Sequence, residues 1–354
     1  MTKKVLIAMS GGVDSAVAAL LVKNMGHEAG GITMKVWSDG QSTDDSDLTP
    51  DQNCTDAKLI ADLLNIPHHI VSLGDRFKKC VVDRFLTSYA NGLTPNPCVD
   101  CNKHIKFGAL YDQMVLLGYN TLATGHYARI EENSNGNYVL KKAKDDNKDQ
   151  SYFLWSIDKA LLPHLLFPLG DYTKSEIRDI AEKNGFANAH RSDSQDVCFI
   201  ENGQYAEFII AQLSRAFASG DFVDAEGNTI GKHSGIINYT IGQRKGLGVA
   251  FGQPMFVGSK NAKTNTVMLC TDDQLYSNTL VAKSINILTE ESFDTPVRLQ
   301  AKIRYRHTPA TATVTKIDAD TLSVKFDLPQ RAIAPGQSVV FYDGDVVVGG
   351  GIIQ

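Results

Sequence analysis

Val5-Leu-Ile-Ala-Met-Ser-Gly-Gly-Val-Asp-Ser15 is the stretch that decides the fold of this 354-residue chain. Val5 to Met9 is an unbroken apolar run, which is typical of a parallel strand buried on both faces. Ser10 and two glycines end the run, and a helical apolar pattern begins at Asp14. A strand, a glycine turn and a helix start form an anion site, because backbone N–H groups and the helix dipole favour a phosphate. The sequence therefore predicts an α/β fold with a phosphate-binding loop after its first strand.

This loop resembles the PP-loop of enzymes that cleave ATP to AMP and pyrophosphate. It lacks both the Gly-Lys-Ser/Thr of P-loop NTPases and the Gly-x-Gly-x-x-Gly of dinucleotide-binding proteins. The resemblance implies that the loop holds pyrophosphate, with Mg²⁺ assisting, and that Met34, near the end of the second predicted strand, flanks the adenine. The ATP-binding residues that it implies are Ala8, Met9, Ser10, Gly11, Gly12, Val13, Asp14 and Ser15.

Composition and charge exclude several classes of protein. The formal net charge is −5, so any RNA-binding surface must be a local basic patch. The apolar run after Lys4 is too short for a signal peptide or a membrane span. Six cysteines without a secretory signal indicate reduced thiols. We therefore expect a cytoplasmic protein with no membrane association, and we expect a monomer.

The pattern of elements divides the chain into three predicted domains. Short strands alternating with helices favour a doubly wound parallel sheet, here the PP-loop (adenine nucleotide alpha hydrolase-like) catalytic domain, over residues 1–203. Short strands and glycines then predict a small central β-rich domain over residues 204–275. Alternating apolar segments predict a C-terminal β-barrel over residues 276–354.

The stretch Thr94-Pro-Asn-Pro-Cys-Val-Asp-Cys-Asn-Lys-His-Ile-Lys-Phe107 carries two informative cysteines. Its two prolines predict an ordered loop over Thr94–Asp100 and a helix from Asn102. Cys101 then lies near a helix N-terminus, with three basic side chains close by, at positions 103, 104 and 106. That setting lowers the pKa of a thiol and favours the nucleophilic thiolate.

Two further stretches carry candidate binding residues. The strand predicted within Thr121–Ile130 ends at Gly125, and ligands bind at the carboxyl ends of strands in doubly wound sheets. We therefore expect Gly125 and His126 beside the nucleotide. Near the C-terminus, Lys302-Ile-Arg-Tyr-Arg-His307 is predicted to place basic groups on one strand face beside an aromatic ring, which is the strongest local RNA signal in the chain.

Five ordered motifs together resemble the bacterial tRNA-uridine 2-sulfurtransferases, the tRNA-specific 2-thiouridylases. They are Ser10-Gly-Gly-Val-Asp-Ser15, Asn96-Pro-x-x-x-Cys101-Asn-Lys, Thr124-Gly-His-Tyr127, Lys148-Asp-Gln-Ser-Tyr152 and Asp193-Ser-x-x-x-Cys198-Phe-Ile. The resemblance covers essentially the whole chain, and it implies ATP-dependent 2-thiolation of the wobble uridine in the anticodon region of tRNA. A further segment, Ala334-Pro-Gly-Gln337, resembles a contact loop of the family. The tRNA-binding residues implied in this way are Asn96, Pro97, Cys98, His126, Lys148, Asp149, Gln150, Arg304, Tyr305 and Gln337.

The same resemblance implies a chemistry for Cys101 and Cys198. ATP adenylates the uracil 2-oxygen, so that AMP becomes the leaving group. Cys198 carries the incoming sulfur as a persulfide, supplied by a cysteine desulfurase or a sulfur-relay carrier. Cys101 then attacks, which releases the thiolated base and leaves a Cys101–Cys198 disulfide. The uridine must be splayed out of the anticodon stack to reach these groups.

The same residues leave alternatives open. Some members of the family carry Asp where Cys98 stands, as a candidate acid/base group, so that role is left unassigned here, with Asp100 as a substitute. The Cys98-x-x-Cys101 spacing also occurs in metal and redox sites. A PP-loop thiolase with an iron–sulfur cluster on Cys98, Cys101 and Cys198 is therefore a rival to our prediction, which includes no metal site. The other rivals are an ATP-dependent ligase or amidase that adenylates a small molecule, and a non-catalytic RNA-binding module.

Overall fold

The structure, a computed structural model, describes residues 2–38, 41, 42, 44, 46, 48–189, 197–200, 203–249 and 252–354. Part of the fifth motif, including Asp193, lies outside these residues. The α-helices are α1 (Val13–Asn24), α2 (Gln52–Leu63), α3 (Gly74–Phe77), α4 (Asp83–Ala90), α5 (Pro97–Cys101), α6 (Leu110–Leu116), α7 (Lys174–Lys183) and α8 (Tyr205–Leu213). Two π-helical segments, Lys78–Val82 and Asn102–Ala109, join α3 to α4 and α5 to α6. No helix in this described part of the chain is long and apolar enough to cross a membrane.

The strands fall into an N-terminal, a central and a C-terminal group. The N-terminal strands are β1 (Lys4–Ala8), β2 (Glu28–Lys35), β3 (Trp37–Ser38), β4 (Gln41–Ser42), β5 (His68–Ser72), β6 (Thr121–Ala123), β7 (Arg129–Glu132), β8 (Tyr138–Lys141) and β9 (Leu165–Leu166). The central strands are β10 (Gly220–Val223), β11 (Thr229–His233), β12 (Phe256–Asn261) and β13 (Thr266–Cys270). The C-terminal strands are β14 (Tyr276–Ile287), β15 (Val297–Lys302), β16 (Ala310–Asp318), β17 (Thr321–Arg331), β18 (Ser338–Asp343) and β19 (Val346–Ile353).

The N-terminal domain is built on a parallel sheet in the order β5-β2-β1-β6-β9. Side chains of β1 alternate between the two faces: Leu6 belongs to the hydrophobic cluster that includes residues of α4 and α6, whereas Val5 and Ile7 belong to the cluster that includes residues of α1, α2 and α7. All three are fully buried, as expected for a strand covered on both faces. The predicted doubly wound parallel sheet is therefore confirmed.

The central strands form a four-stranded sheet in the order β11-β10-β13-β12. The C-terminal strands form a closed barrel, because β14 pairs with β17 on one side and with β19 on the other. A hairpin of the N-terminal domain, β7–β8, joins the barrel through the pairing of Lys141 with Val346. The predicted β-rich middle and C-terminal barrel are confirmed, and the barrel pairs directly with a hairpin of the N-terminal domain.

Two predictions about local structure are wrong. Thr94–Asp100 is not wholly a loop, because α5 begins at Pro97. Proline suits the first helical position, where its missing N–H costs nothing and its φ is already helical. The basic motif is not one strand face either: β15 ends at Lys302, and residues 303–309 form the connection to β16. Pro309 at the end of this connection has no N–H to donate to a strand ladder.

Candidate active site

The phosphate-binding loop lies between β1, which ends at Ala8, and α1, which begins at Val13. Gly12 precedes α1 in an extended conformation, and no side chain caps the first N–H groups of the helix. These groups are the ones that bind an anion at a helix start. Ser15 closes the loop, since its Oγ accepts from the Ser10 N–H at 3.1 Å and donates to the Gly12 carbonyl at 3.0 Å.

Two glycines allow close backbone packing around this loop. Gly11 has a φ of +73°, and a Cβ there would lie 2.9 Å from both the Asn53 carbonyl oxygen and the Asp56 Cβ. At Gly125 a Cβ would lie 3.1 Å from the Asp14 carbonyl carbon and 3.2 Å from the Ser15 nitrogen. The turn after β6 therefore packs directly against the start of α1, and the place of Gly125 beside the nucleotide stays a prediction.

Asp14 sits in a polar cluster that the sequence patterns did not predict. Both of its carboxylate oxygens lie 2.8 Å from Lys174 Nζ, and Oδ1 also accepts a 2.8 Å hydrogen bond from the Tyr127 hydroxyl. Lys174 is buried, although it opens α7 far along the chain. Its one sequence signal is its place directly after Thr173, which caps α7 in a capping box with Glu176. The cluster places a buried cation beside the phosphate-binding loop.

The other predicted nucleotide contacts lie at the same edge of the sheet. Met34 is the penultimate residue of β2 and is half-buried, whereas Met9 and Val13 are buried in the core beneath the loop. His126 follows Gly125 and is also buried. Its Nδ1 lies 2.6 Å from Thr124 Oγ1, and its Nε2 lies 3.1 Å from Lys106 Nζ. Burial and the Lys106 charge hold the pKa of His126 well below its ordinary value, so a neutral ring accepts at Nε2 from the Lys106 ammonium.

The thiol helix, which we define as α5 with the π-helical segment that follows it, carries Cys98 and Cys101. The two cysteines are three residues apart and so share one helix face. Cys198 approaches from the separate segment 197–200, where the neighbouring Phe199 is buried in an aromatic cluster that includes Phe85 at 5.5 Å. The three thiols lie within electrostatic range, because the Cys98 charge raises the pKa of both Cys101 and Cys198. The fold therefore brings together cysteines that are about one hundred residues apart, and all are free thiols.

The predicted lowering of the Cys101 pKa is wrong. Cys101 is half-buried, and desolvation raises the pKa of its thiol to about 12. Cys198 is exposed, but the protein atoms around its sulfur still raise the pKa of that thiol above its ordinary value. Cys101 is the last residue of α5 rather than near its start, so the helix N-terminus does not favour its thiolate. Of the three neighbouring basic residues, Lys106 alone lowers the pKa of Cys101, whereas the His104 ring lies 3.1 Å from the Arg84 guanidinium.

We call the three thiols of Cys98, Cys101 and Cys198 the thiol centre, and Lys106 is the cation beside it. Its charge lowers the pKa of all three thiols, Cys98, Cys101 and Cys198, and so opposes the effect of desolvation. Residues five apart share one side of a π-helical turn, because its hydrogen bonds run from i to i+5. The π-helical segment that begins directly after Cys101 thus places Lys106 on the side of that thiol.

Asp100 is the acidic group of this centre. Its carboxylate lies 3.3 Å from the Arg84 guanidinium, and burial nevertheless raises the pKa of Asp100 to about 6. Cys98 is exposed, yet the protein atoms around its sulfur raise the pKa of this thiol, so it is a poor proton acceptor near neutrality. Asp100 is therefore the group in this centre that can exchange a proton near pH 7.

Three predicted RNA-binding residues form a structured segment beside the site. Asp149 is buried and accepts from the Ala143 N–H at 3.0 Å and from the Ser151 hydroxyl at 2.8 Å. The Gln150 side chain accepts from the Tyr127 N–H at 2.9 Å. Lys148 is half-exposed. The side chains of Asp149 and Gln150 thus support the fold, and their contact with tRNA stays a prediction.

The remaining predicted RNA-binding residues lie on or beside the barrel. Arg304 donates to the carbonyls of Arg331 and Ala332, and it lines an open cavity of about 580 Å³ together with Arg306 and His307. The Tyr305 ring lies 4.5 Å from that of Phe153 and 5.5 Å from Lys302 Nζ. Gln337 donates to the carbonyls of Thr94 and Pro95, which directly precede Asn96 and the buried Pro97. The basic groups of this region thus lie on the connection between β15 and β16, residues 303–309, and not on the face of a strand.

Among the described residues, no three His, Cys, Asp or Glu side chains are placed so that they could hold a metal ion together.

Comparison with known proteins assigns all three parts of the chain. The family model of the tRNA methyl transferase HUP domain matches residues 3–202, that of the tRNA methyl transferase PRC-barrel domain residues 206–271, and that of the aminomethyltransferase beta-barrel domain residues 277–353. The chain is 45% identical over 356 residues to the tRNA-specific 2-thiouridylase MnmA of Clostridioides difficile strain 630, covering 100% of this chain and 99% of that protein. It is 45% identical to the protein of the same name from Clostridium kluyveri, with 100% of both covered. It is 43% identical to that of Clostridium botulinum strain Alaska E43, covering 99% and 98%.

Proposed function

The chain belongs to the family of MnmA tRNA-specific 2-thiouridylases, and from this premise we propose how its residues thiolate the wobble uridine of tRNA. It is an ATP-dependent tRNA sulfurtransferase, and this replaces the alternatives of an adenylating ligase and of a non-catalytic RNA-binding module. One observation carries the proposed route: Gly125 packs on the phosphate-binding loop, and the next residue, His126, holds Lys106 of the thiol helix. Gly125 and His126 thus connect the proposed nucleotide site to the helix that carries the reactive thiols.

The first step is the adenylation of the uracil 2-oxygen. The N–H groups at the start of α1 bind the pyrophosphate part of ATP, and Lys174 adds a positive charge beside them. The uracil oxygen attacks the α-phosphate, and pyrophosphate leaves. Mg²⁺ would bind here through the phosphate oxygens of ATP, because oxygen atoms are its preferred ligands, whereas both oxygens of Asp14, the one carboxylate of the loop, are held by Lys174. The adenylated carbon then carries AMP as a good leaving group.

The second step is the transfer of sulfur. The terminal sulfur of a Cys198 persulfide attacks carbon 2 of the uracil, and AMP departs. The Cys101 thiolate then attacks the Cys198 sulfur, which breaks the S–S bond, leaves both electrons on the sulfur of the base and forms a Cys101–Cys198 disulfide. A thiol reductant afterwards returns the disulfide to two thiols. Lys106 stabilises the anionic sulfur at each stage, and Asp100 is the acid/base group.

The tRNA anticodon region is proposed to lie over the thiol helix and the barrel. Asn96 and Cys98, on either side of the buried Pro97, line the entrance for the flipped base, while Arg304, Tyr305 and Lys148 bind the RNA backbone and bases. We propose that residues 1–203 carry the chemistry, residues 204–275 form the central unit and residues 276–354 contact tRNA. The enzyme is expected to act as a monomer in the cytoplasm, with sulfur from a cysteine desulfurase or a sulfur-relay carrier.

Three serine variants test this route. Cys198→Ser should still adenylate tRNA but accept no sulfur, because the persulfide carrier is lost. Cys101→Ser should load sulfur on Cys198 and fail to release 2-thiouridine. Cys98→Ser should keep substantial activity, since Cys98 has no covalent role in the route. The iron–sulfur alternative expects the opposite for Cys98→Ser, so a brown, iron-containing protein that this substitution inactivates would overturn the proposal.

A further inference from the structure

The segment Pro335–Gln337 of the barrel contacts the chain immediately before the thiol helix. The Thr94 N–H donates to the Pro335 carbonyl at 2.9 Å. The Gln337 side-chain amide donates to the Thr94 carbonyl at 2.9 Å and to the Pro95 carbonyl at 3.4 Å. Pro97, the first residue of α5, follows two positions later. The barrel therefore fixes the backbone that leads into the helix bearing Cys98 and Cys101.

Gly336 makes this close contact sterically possible. A Cβ on Gly336 would lie 2.9 Å from the Thr94 nitrogen, 3.0 Å from the Leu93 Cβ and 3.1 Å from the Thr94 oxygen, and the φ of Gly336 is +91°. The segment cannot simply move away, because β19 holds it: the Gly336 N–H donates to the Ile353 carbonyl at 2.9 Å, and the Ile353 N–H donates to the Gln337 carbonyl at 2.8 Å. Any side chain at this position must displace Thr94 or the segment.

A second connection runs from the next barrel residue, Ser338, to the thiol helix. Ser338 is fully buried; its Oγ accepts from the Trp155 indole at 3.0 Å, and its carbonyl accepts from the Tyr152 hydroxyl at 2.9 Å. The segment that carries these aromatic residues bonds the thiol helix directly. The Phe153 carbonyl accepts from the Asn102 side chain at 2.9 Å, next to Cys101.

We propose that barrel residues Pro335–Ser338 form the positioning element of the thiol centre, with Gly336 as the positioning residue that lets it contact Thr94. The two connections hold the thiol helix at its start and at Asn102, so the barrel sets where the thiols lie. The consequence for catalysis rests on the proposed function. The Tyr305 ring packs on Phe153, whose carbonyl accepts the hydrogen bond from Asn102, so RNA bound at Tyr305 can shift the thiol helix through Phe153. This role differs from direct RNA contact, because it exists in the protein without tRNA.

The test compares Gly336→Ala with Gly344→Ala in the full-length protein. Gly344 also has a positive φ, +59°, but a Cβ there meets nothing within 4 Å, so this control carries the backbone strain without the contact. Iodoacetamide labelling of Cys101, without ATP or tRNA, is followed by mass spectrometry of the cysteine peptides. We expect labelling of Cys101 to be about tenfold faster in Gly336→Ala and within about twofold of the parent in Gly344→Ala. Thiolation of tRNA should fall in Gly336→Ala alone.

Equal labelling rates in Gly336→Ala and the parent would overturn the positioning role. If Gly336→Ala does not fold, Gln337→Met takes its place, since it keeps the size of the side chain and removes both amide hydrogen bonds. Faster Cys101 labelling in Gln337→Met then supports the proposal, and unchanged labelling overturns it. Faster labelling of the variant, together with a parent enzyme that forms no 2-thiouridine, would refute the proposed function and leave the positioning role intact.

Discussion

The ion pair between Asp14 and Lys174 offers a prediction in which stability and catalysis separate. Lys174 contacts both carboxylate oxygens at 2.8 Å, and its side chain is 8% exposed, against 32% for that of Asp14. Asp14→Asn keeps an oxygen to accept from Tyr127 but removes the negative charge that contacts the buried Lys174 ammonium. Lys174→Met leaves a carboxylate that water can partly solvate. We therefore expect Asp14→Asn to be the more destabilising substitution.

The magnitude follows from the burial of the two partners. Breaking a fully buried pair costs about 3–5 kcal/mol, whereas an exposed pair contributes about 0.2–1 kcal/mol. With one partner buried and the other one-third exposed, we expect a loss of about 2 kcal/mol for Asp14→Asn and about 1 kcal/mol for Lys174→Met. A loss of about 2 kcal/mol lowers the melting temperature of a domain of this size by roughly 4–8 °C. The double variant should lose less than the sum, because the two residues are in contact and each single substitution already removes their interaction.

Thermal unfolding with and without ATP measures both effects. ATP at one hundred times its Kd stabilises the parent by about 2.7 kcal/mol, and Lys174→Met should gain less than about 1 kcal/mol at that concentration. Both single variants should lose formation of AMP from ATP in the presence of tRNA. Lys183→Met, on the exposed end of the same helix, is the matched control and should behave as the parent. Additive losses in the double variant, or full stabilisation of Lys174→Met by ATP, would show that the two charges do not act as a pair at the nucleotide site.

Three further predictions concern charge. The pKa of Asp100 in the folded protein, about 6, lies above its ordinary value of 3.8, so ionisation of this carboxyl destabilises the fold. Asp100→Asn should therefore raise the free energy of unfolding by about 3 kcal/mol above pH 6 and leave it unchanged below pH 4. Urea titrations at several pH values measure this difference. Lys106→Met should raise the pKa of Cys101, so that alkylation of this thiol at pH 8 slows about tenfold. Lys106→Arg should restore the alkylation rate, and Lys103→Met, the control, should leave the rate unchanged. Arg306→Ala should weaken tRNA binding and reduce its salt slope by about one, with ATP affinity unchanged in calorimetry.

Local sequence patterns were sufficient to predict the architecture. The apolar run of β1 predicts a buried strand, and the glycines after it predict a tight turn, because both features depend on neighbouring residues. The structure has this strand in a parallel sheet and a loop directly after it. Pro97 is the exception, because proline breaks a helix in its interior but favours its first position. Whether a helix starts at a proline is decided by the residues after it, and the chain after Pro97 continues as helix.

The chemistry of the site was less predictable, because it depends on contacts between distant parts of the chain. The charge near Cys101 was visible in sequence, but burial outweighs it and raises the thiol pKa to about 12. Lys174 reaches Asp14 across 160 positions, and Gln337 reaches Thr94 across 243. No local pattern reports such pairings, so the buried cation and the support of the thiol helix emerged only from the structure.

The most direct test of the persulfide route follows one sulfur atom. Iron-free protein, loaded on Cys198 with isotopically labelled persulfide sulfur, is mixed with ATP and unmodified tRNA for a single turnover, and the nucleosides and cysteine peptides are analysed by mass spectrometry. The route predicts labelled 2-thiouridine at the wobble position, an equal amount of AMP, and a Cys101–Cys198 disulfide. Unlabelled 2-thiouridine, or labelled product formed only after iron is restored, would contradict it.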